Sequence, residues 1–119
     1  MKLQETLKNI ILQGGGTLDS NLQIKTFAKG YIVGLHGFGE IYKRDISIDR
    51  LAQNIINYQL NVVGSDSLIG LWCSEGLIFV DKVINVNSKY RAVIVAQTNK
   101  QYSIWDNKNN TEIKTSEVD

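Results

Sequence analysis

Apolar residues near the start of the chain recur at the spacing of one face of an α-helix. They are Leu3, Leu7, Ile10 and Ile11. Three glycines follow, and glycine adopts the left-handed conformation that ends a helix at little cost. The pattern predicts a first helix over Met1 to Gln13 that stops at Gly14.

Two further helices are predicted, each behind a serine suited to cap it. After Ser47, apolar residues recur with helical spacing to about Leu60, and a loop is expected at 62–67. In 91–97 the Val-Ile-Val run is typical of a strand, whereas Ser88 and the pair Tyr90 and Ile94 favour a helix. The length of this segment, and its place between two predicted strands, favour a helix from Ser88 to Asn99.

The stretch from Leu68 to Asp81 has the pattern of a buried β-hairpin. Its turn is Ser74-Glu75-Gly76, and the run Leu77 to Val80 is apolar at every position, which is typical of a central strand. A closing strand is predicted over Tyr102 to Asp106.

Weaker strand patterns occupy the rest of the chain. Tyr31 to Leu35 is aromatic and β-branched, glycines interrupt it at 37 and 39, and Glu40 to Arg44 resumes an alternating pattern, so a second hairpin or a strongly bulged strand is expected. Thr17 to Asp19 is a candidate short strand, and Glu112 to Lys114 a marginal edge strand. The sum is an α+β fold: a mostly antiparallel sheet with about three helices packed on it, in a single domain over 1–119 whose tail frays after about residue 114.

Composition narrows the class of protein. A chain of 119 residues is long enough for one self-sufficient domain. The single cysteine, Cys73, indicates a reducing compartment, and neither a signal-peptide core nor an 18-residue apolar run is present, so the cytoplasm is expected and a membrane is not. A net charge of +1 provides no strong attraction for nucleic acid.

Several short stretches between Gly15 and Ile113 are similar to a group of small uncharacterised proteins carried by bacteriophages, plasmids and other mobile elements. They are Gly15-Gly16-Thr17, Gly30-Tyr31-Ile32-Val33, Ile69-Gly70-Leu71-Trp72, Gly76 with Phe79-Val80-Asp81, Ala92, Ala96, Asn99, Gln101 and Ile104-Trp105-Asp106. The segment Gly37-Phe38-Gly39 lies outside the resemblance. The group has no assigned activity, so the resemblance implies a genetic setting in which accessory proteins bind and obstruct a host component.

The residues that catalysis or metal binding needs are scarce. His36 is the only imidazole, and metal sites ordinarily draw on two or more His or Cys ligands. Cys73 lies in an apolar strand beside Trp72 and is expected to be buried and unreactive. The glycines at 14–16 lack the Lys-Ser or Lys-Thr of a phosphate-binding loop. No cofactor and no metal are expected.

Two aspartates remain open to a functional interpretation. Asp81 ends an apolar strand and needs a partner such as Lys82, Arg91 or a backbone amide, unless it is a ligand-binding or catalytic acid. Asp106 is expected in a turn. An alternative function is therefore a small enzyme or ligand-binding domain that uses Asp81, His36 and Asp106 in a cleft.

The first hypothesis is a non-catalytic accessory protein that binds, and inhibits, a host or element-encoded macromolecule, most naturally a protein. Trp72 is assigned to the core, and the binding residues are expected in and around a glycine-flanked segment where aromatic and basic groups gather. They are His36, Phe38, Tyr42, Lys43, Arg44 and Trp105. A nucleic-acid-binding module is a further alternative, and it requires Tyr42 to Arg44 and Lys89 to Arg91 to share one face.

Overall fold

A computed structural model describes residues 2–35, 37, 39–63 and 67–115. Those residues form three α-helices and seven strands, so the predicted α+β class is confirmed. The helices are α1 (Leu3–Gln13), α2 (Ile48–Tyr58), which continues into a π-helical turn (Gln59–Val63), and α3 (Lys89–Thr98). The strands are β1 (Gly15–Leu18), β2 (Tyr31–Gly34), β3 (Glu40–Lys43), β4 (Leu68–Ser74), β5 (Leu77–Val86), β6 (Ser103–Asp106) and β7 (Thr111–Lys114).

The chain divides into two compact units, and β5 contributes to both. The first unit comprises Met1–Lys25 and Phe38–Lys82, and the second comprises Thr26–Gly37 and Val83–Asp119. The hydrogen-bonded strand order is β1-β4-β5-β2-β6-β7, with β3 also paired to β5. The predicted start of the first helix at Met1 was wrong, because Lys2 is extended and α1 begins at Leu3. The predicted fraying of 116–119 lies outside the described residues.

In the first unit, α1 ends and α2 begins where the sequence predicts. Gly14 adopts a left-handed φ of 93°, and its N–H donates to the carbonyl of Ile11. Ser47 caps α2, since its hydroxyl accepts the N–H of Arg50 over 3.2 Å. The apolar faces of both helices contribute to a core with the buried residues of β1, β4 and β5. The core comprises Leu7, Ile10, Leu18, Leu51, Ala52, Ile55, Tyr58, Val63, Ile69, Leu71, Ile78 and Val80.

Two further boundary predictions in this unit were wrong. The helix after Ser47 does not pass into a loop at residue 62, because its last turn widens into a π-helix that buries both Gln59 and Val63. Strand β1 begins at Gly15, not Thr17, since Gly15 and Gly16 pair with Trp72 and Leu71 of β4. Residues 64–66 of the expected loop lie outside the described part of the chain.

The hairpin of β4 and β5 is confirmed, with Glu75 and Gly76 at positive φ in its turn. β5 is a central strand, although only one face is fully buried: Ile78 and Val80 are in the core, whereas Phe79 is half-buried. The assignment of Trp72 to the core was wrong. Alternation along β4 directs Leu71 inward and Trp72 outward, where it is 41% exposed.

The hairpin alternative for β2 and β3 was also wrong. β2 ends with Gly34 opposite Val83, and β3 begins with Glu40 opposite Val80. Both strands are antiparallel to β5, so they run in the same direction and cannot form a hairpin with each other. The two strands pair with successive parts of β5, and residues 36 and 38 of the segment between them lie outside the described residues.

In the second unit, β2 pairs with the end of β5 and with β6, and β6 pairs with β7. The predicted helix is confirmed as α3, and the Ser88 hydroxyl accepts the N–H of Arg91 over 3.3 Å. Its buried residues complete a second core. This core comprises Val33, Ala92, Val93, Ala96 and Ile104. Among the described residues, no helix has the length and hydrophobicity needed to cross a membrane.

Candidate functional site

A cleft of about 260 Å³ opens between β3 and α2 in the first unit. Its walls come from β3, from α2 and from the π-helical turn. The lining residues are Glu40, Tyr42, Asn54, Asn57, Tyr58, Asn61 and Val62. We call it the β3–α2 cleft.

The β3 wall follows from strand alternation. Successive side chains of a strand point to opposite faces, so Glu40 and Tyr42 share one face and line the cleft. Ile41 and Lys43 occupy the other face, where both are exposed. Tyr42 is half-buried and packs against the core of the unit.

The opposite wall is a polar stripe along α2. Residues 54, 57, 58 and 61 are spaced so that they lie on one side of a helix. Asn61 and Val62 reach the cleft from the π-helical turn, a kind of turn that occurs frequently at functional sites. The amide oxygen of Asn57 accepts a hydrogen bond from Nε2 of Gln53 over 3.3 Å. In the described part of the chain the side chains of Asn54 and Asn61 make no hydrogen bond, so their amides are available to a ligand.

Both phenols of the cleft are harder to ionise than a free tyrosine. Burial, together with the charge of Glu40 and a hydrogen bond from the phenol to that carboxylate, raises the pKa of Tyr42 to about 12. Burial also raises the pKa of Tyr58 to about 12, with further contributions from the charges of Asp81 and Glu40. The N–H of Lys82 donates to the Tyr58 oxygen, which opposes this rise. The two phenols therefore stay neutral at physiological pH.

Asp81 lies in β5, where its charge reaches Tyr58. Burial raises the pKa of its carboxyl above the ordinary value. Within the described residues the carboxylate has neither a hydrogen bond nor a salt bridge, so the expected partner among Lys82, Arg91 and the backbone amides is not found there. Glu40 and Asp81 therefore place two negative charges around Tyr58. No lysine or arginine is among the described residues that line the cleft.

The predicted interface residues that the structure describes lie on different faces and different strands. Tyr42 lines the β3–α2 cleft, while Lys43 lies on the opposite face of β3. Arg44 follows the strand, and its charge acts on Cys73. Trp105 is half-buried in β6 of the second unit, opposite Ile32. His36 and Phe38 lie outside the described residues.

Of the residues in the alternative hypothesis, the two aspartates, Asp81 and Asp106, do not line this cleft. Asp106 is the last residue of β6 and not a turn residue, since it pairs with Tyr31 and Thr111. Its carboxylate accepts the side-chain amide of Asn109 and the backbone N–H groups of Asn109 and Lys108, which lower its pKa and hold the turn that follows the strand. His36 is not among the described residues.

Cys73 is half-buried on the core face of β4. Burial raises the pKa of its thiol, and the positive charge of Arg44 partly offsets that rise. In the described ranges, no group of three or more His, Cys, Asp and Glu side chains is placed to hold a metal ion.

The sequence contained a signal for the α2 wall that composition alone does not reveal. Asn54, Asn57 and Asn61 recur at helical spacing on the polar side of an amphipathic helix, which predicts that they share a surface. Their meeting with Glu40 and Tyr42 depends on how α2 packs beside β3, and no local pattern encodes that contact.

No protein-family model, curated protein or solved structure matches the chain.

Proposed function

We propose that this chain is a non-catalytic binding protein that engages a protein partner along β3. The resemblance to proteins of bacteriophages, plasmids and other mobile elements supplies the setting. In that setting the chain is a cytoplasmic accessory protein that binds and obstructs a host or element-encoded component.

Ile41 is the observation that carries this proposal. Its aliphatic side chain is 61% exposed. In the described part of the chain β3 pairs with β5 alone, so β3 is an edge strand. An exposed edge with an apolar side chain is a template on which a strand of another chain can pair.

The backbone of β3 is oriented for such pairing. The N–H of Arg44 donates to the carbonyl of Gly76 over 2.9 Å, which extends the register between β3 and β5. Alternate residues of an antiparallel strand direct their backbone groups to opposite sides, so the N–H and C=O of Ile41 point away from β5. The carbonyl of Lys43 points the same way and accepts the N–H of Ile46, which closes that end of the edge.

The residues around Ile41 favour a specific partner over promiscuous pairing. Lys43 and Arg44 are exposed beside it, and charged side chains at an edge oppose aggregation with chains of the wrong sequence. A suitable partner strand would place acidic residues opposite Lys43 and Arg44, which neutralises their charge, and an apolar residue opposite Ile41, which buries its side chain.

Site-specific photocrosslinking tests the proposal. A photoreactive phenylalanine analogue replaces Ile41 in the chain produced in its native host, and crosslinked products are identified by mass spectrometry. Leu12, which is 80% exposed on α1 of the same unit, provides the matched control position. We expect a discrete adduct with one protein from position 41 and none from position 12.

The purified pair then gives a quantitative check. Ile41→Lys should weaken the affinity by about tenfold or more, because a charge at the centre of the edge opposes strand pairing, whereas Leu12→Lys should leave it unchanged. Equal adducts at both positions, or an affinity that Ile41→Lys does not alter in a variant with unchanged melting temperature, would refute the proposal.

A further inference from the structure

We infer that the β3–α2 cleft receives the guanidinium group of an arginine side chain carried by the partner that pairs with β3. This inference rests on the proposed function and adds the chemistry of the contact. The cleft borders β3 itself, since Glu40 and Tyr42 belong to that strand. A side chain projecting from a segment seated on β3 would reach the cleft directly.

The size of the cleft favours one side chain over a whole metabolite. Pockets that enclose drug-sized ligands occupy roughly 300–1,000 Å³. The β3–α2 cleft, at about 260 Å³, falls below that range. A single long side chain, anchored by its own backbone outside the cleft, does not need deep enclosure to be held.

The electrostatics select the charge of that side chain. Glu40 lines the cleft and Asp81 acts on Tyr58 from β5, while the lining contains no cation. An anionic ligand would meet uncompensated repulsion. Among the described residues, Asp81 forms no ion pair and the cleft lining contains no positive charge. A bound cation would supply that positive charge.

The shape and chemistry of the lining favour arginine over lysine. A guanidinium is planar, donates five hydrogen bonds in fixed directions and stacks on aromatic rings. The cleft offers a carboxylate at Glu40, amide oxygens at Asn54 and Asn61, and the partly exposed phenol ring of Tyr42. An ammonium group would make fewer of these contacts at once, because its three donors radiate from one nitrogen.

Nuclear magnetic resonance titration with N-acetyl-arginine methylamide tests the inference on the full chain. We expect the side-chain amide signals of Asn54 and Asn61 to shift with a dissociation constant of about 1 mM, the range of a single anchored group. The citrulline analogue has nearly the same shape without the charge, and it should bind about tenfold more weakly or not at all. N-acetyl-glutamate methylamide should not bind.

Two variants locate the contact. Glu40→Gln, which removes the charge and keeps the shape, should weaken binding of the arginine probe about tenfold. Asn54→Ala should weaken it through loss of an amide oxygen. Asp45→Asn is the matched control, because Asp45 is exposed near the end of β3 and does not line the cleft, and it should leave binding unchanged.

The outcomes separate this inference from the proposed function. Binding of citrulline as tight as that of arginine, or an affinity that Glu40→Gln does not change, would overturn the arginine assignment. Absence of any shift with the arginine probe would overturn it too, even where crosslinking at position 41 succeeds. Conversely, arginine binding in the cleft with no adduct at position 41 would leave the cleft assigned and remove the β3 interface.

Discussion

The Oδ1 atom of Asp81 lies 2.6 Å from the position that a Cβ atom would occupy on Gly39. Any side chain at residue 39 would therefore have to displace this carboxylate. The carboxylate is already held in partly desolvated surroundings that raise its pKa. The absence of a side chain at Gly39 thus makes room for an acid at the end of the glycine-flanked segment, directly before β3.

Gly39→Ala should destabilise the protein by about 1 kcal/mol, the low end of the cost of inserting a methyl group, because the clash is with the end of the Asp81 side chain and not with backbone. In a chain that already carries Asp81→Ala, the same change should cost markedly less, because the colliding oxygen is gone. Urea unfolding of the four chains in a double-mutant cycle measures this coupling. Gly76→Ala is the control: it has a positive φ and nothing within 4 Å of its Cβ position, so its cost should not depend on Asp81.

Asp81→Asn should stabilise the protein at neutral pH. Burial raises the folded-state pKa above the ordinary 3.8, so the folded chain holds the proton more tightly than the unfolded chain does. The free energy of unfolding of the natural chain therefore falls as pH rises from below 3.8 through the folded pKa, and the asparagine variant escapes this loss. Unfolding curves at about pH 7 and below pH 3.8 test this expectation. The free energy of unfolding of the variant should exceed that of the natural chain at pH 7, and the two should be equal below pH 3.8. A variant that is less stable at neutral pH would show that ionised Asp81 is favourably paired.

Ser47→Ala and Ser88→Ala should each cost about 1 kcal/mol of stability, since each hydroxyl accepts a backbone N–H in the first turn of its helix. Thermal or urea unfolding measures the loss. Ser74→Ala provides a comparison at an exposed serine whose side chain makes no hydrogen bond to the described residues. Equal effects at all three positions would contradict the capping role.

Cys73 should react with iodoacetamide more slowly in the folded chain than in the urea-unfolded chain at about pH 8, because burial raises the pKa of the thiol and lowers the thiolate fraction. Arg44→Gln should slow the reaction further, since the guanidinium charge is what partly lowers that pKa. Lys43→Gln is the neighbouring control and should leave the rate unchanged. Rapid stoichiometric labelling of the folded chain would revive a reactive role for this cysteine.

Asn107→Asp should destabilise the second unit more than Asn107→Ala does. The side-chain amide of Asn107 donates to the carbonyls of Lys29 and Gly30 and to Oδ1 of Asn85, at 3.3, 3.0 and 3.0 Å. An alanine loses these bonds at a cost of about 1–3 kcal/mol, while an aspartate also sets a negative charge against the same oxygens. Hydrogen exchange of the β2 and β6 amides, read beside global unfolding, should show the larger effect for the aspartate.

Local sequence patterns were sufficient to predict features that depend on residues within a single helix or hairpin. The stop at Gly14 and the caps at Ser47 and Ser88 depend on backbone conformation and on hydrogen bonds within a few residues. The β4–β5 hairpin likewise follows from its turn residues. For α3, the Ser88 cap marks where the helix begins.

Sequence patterns led to wrong predictions where contacts between residues distant in the sequence determine the structure. Trp72 was assigned to the core by residue type, yet strand alternation places Leu71 inward and leaves Trp72 partly exposed. β2 and β3 have alternation suited to a hairpin, but both pair antiparallel with β5, a choice made by long-range hydrogen bonding. The extension of α2 into a π-helical turn also depends on the burial of Gln59 and Val63, which periodicity does not report.

Hydrophobic period, capping residues and turn residues act over a few positions, so they were enough to predict the α+β class, the three helices and the central hairpin. Which polar residues meet depends on how those elements pack together. The Asn54 and Asn61 amides meet Glu40 and Tyr42 because α2 packs beside β3, and Ile41 is exposed because alternation along β3 directs it to the face opposite the cleft. Such contacts join residues far apart in the sequence, and the packing free energy that selects them is a property of the whole unit.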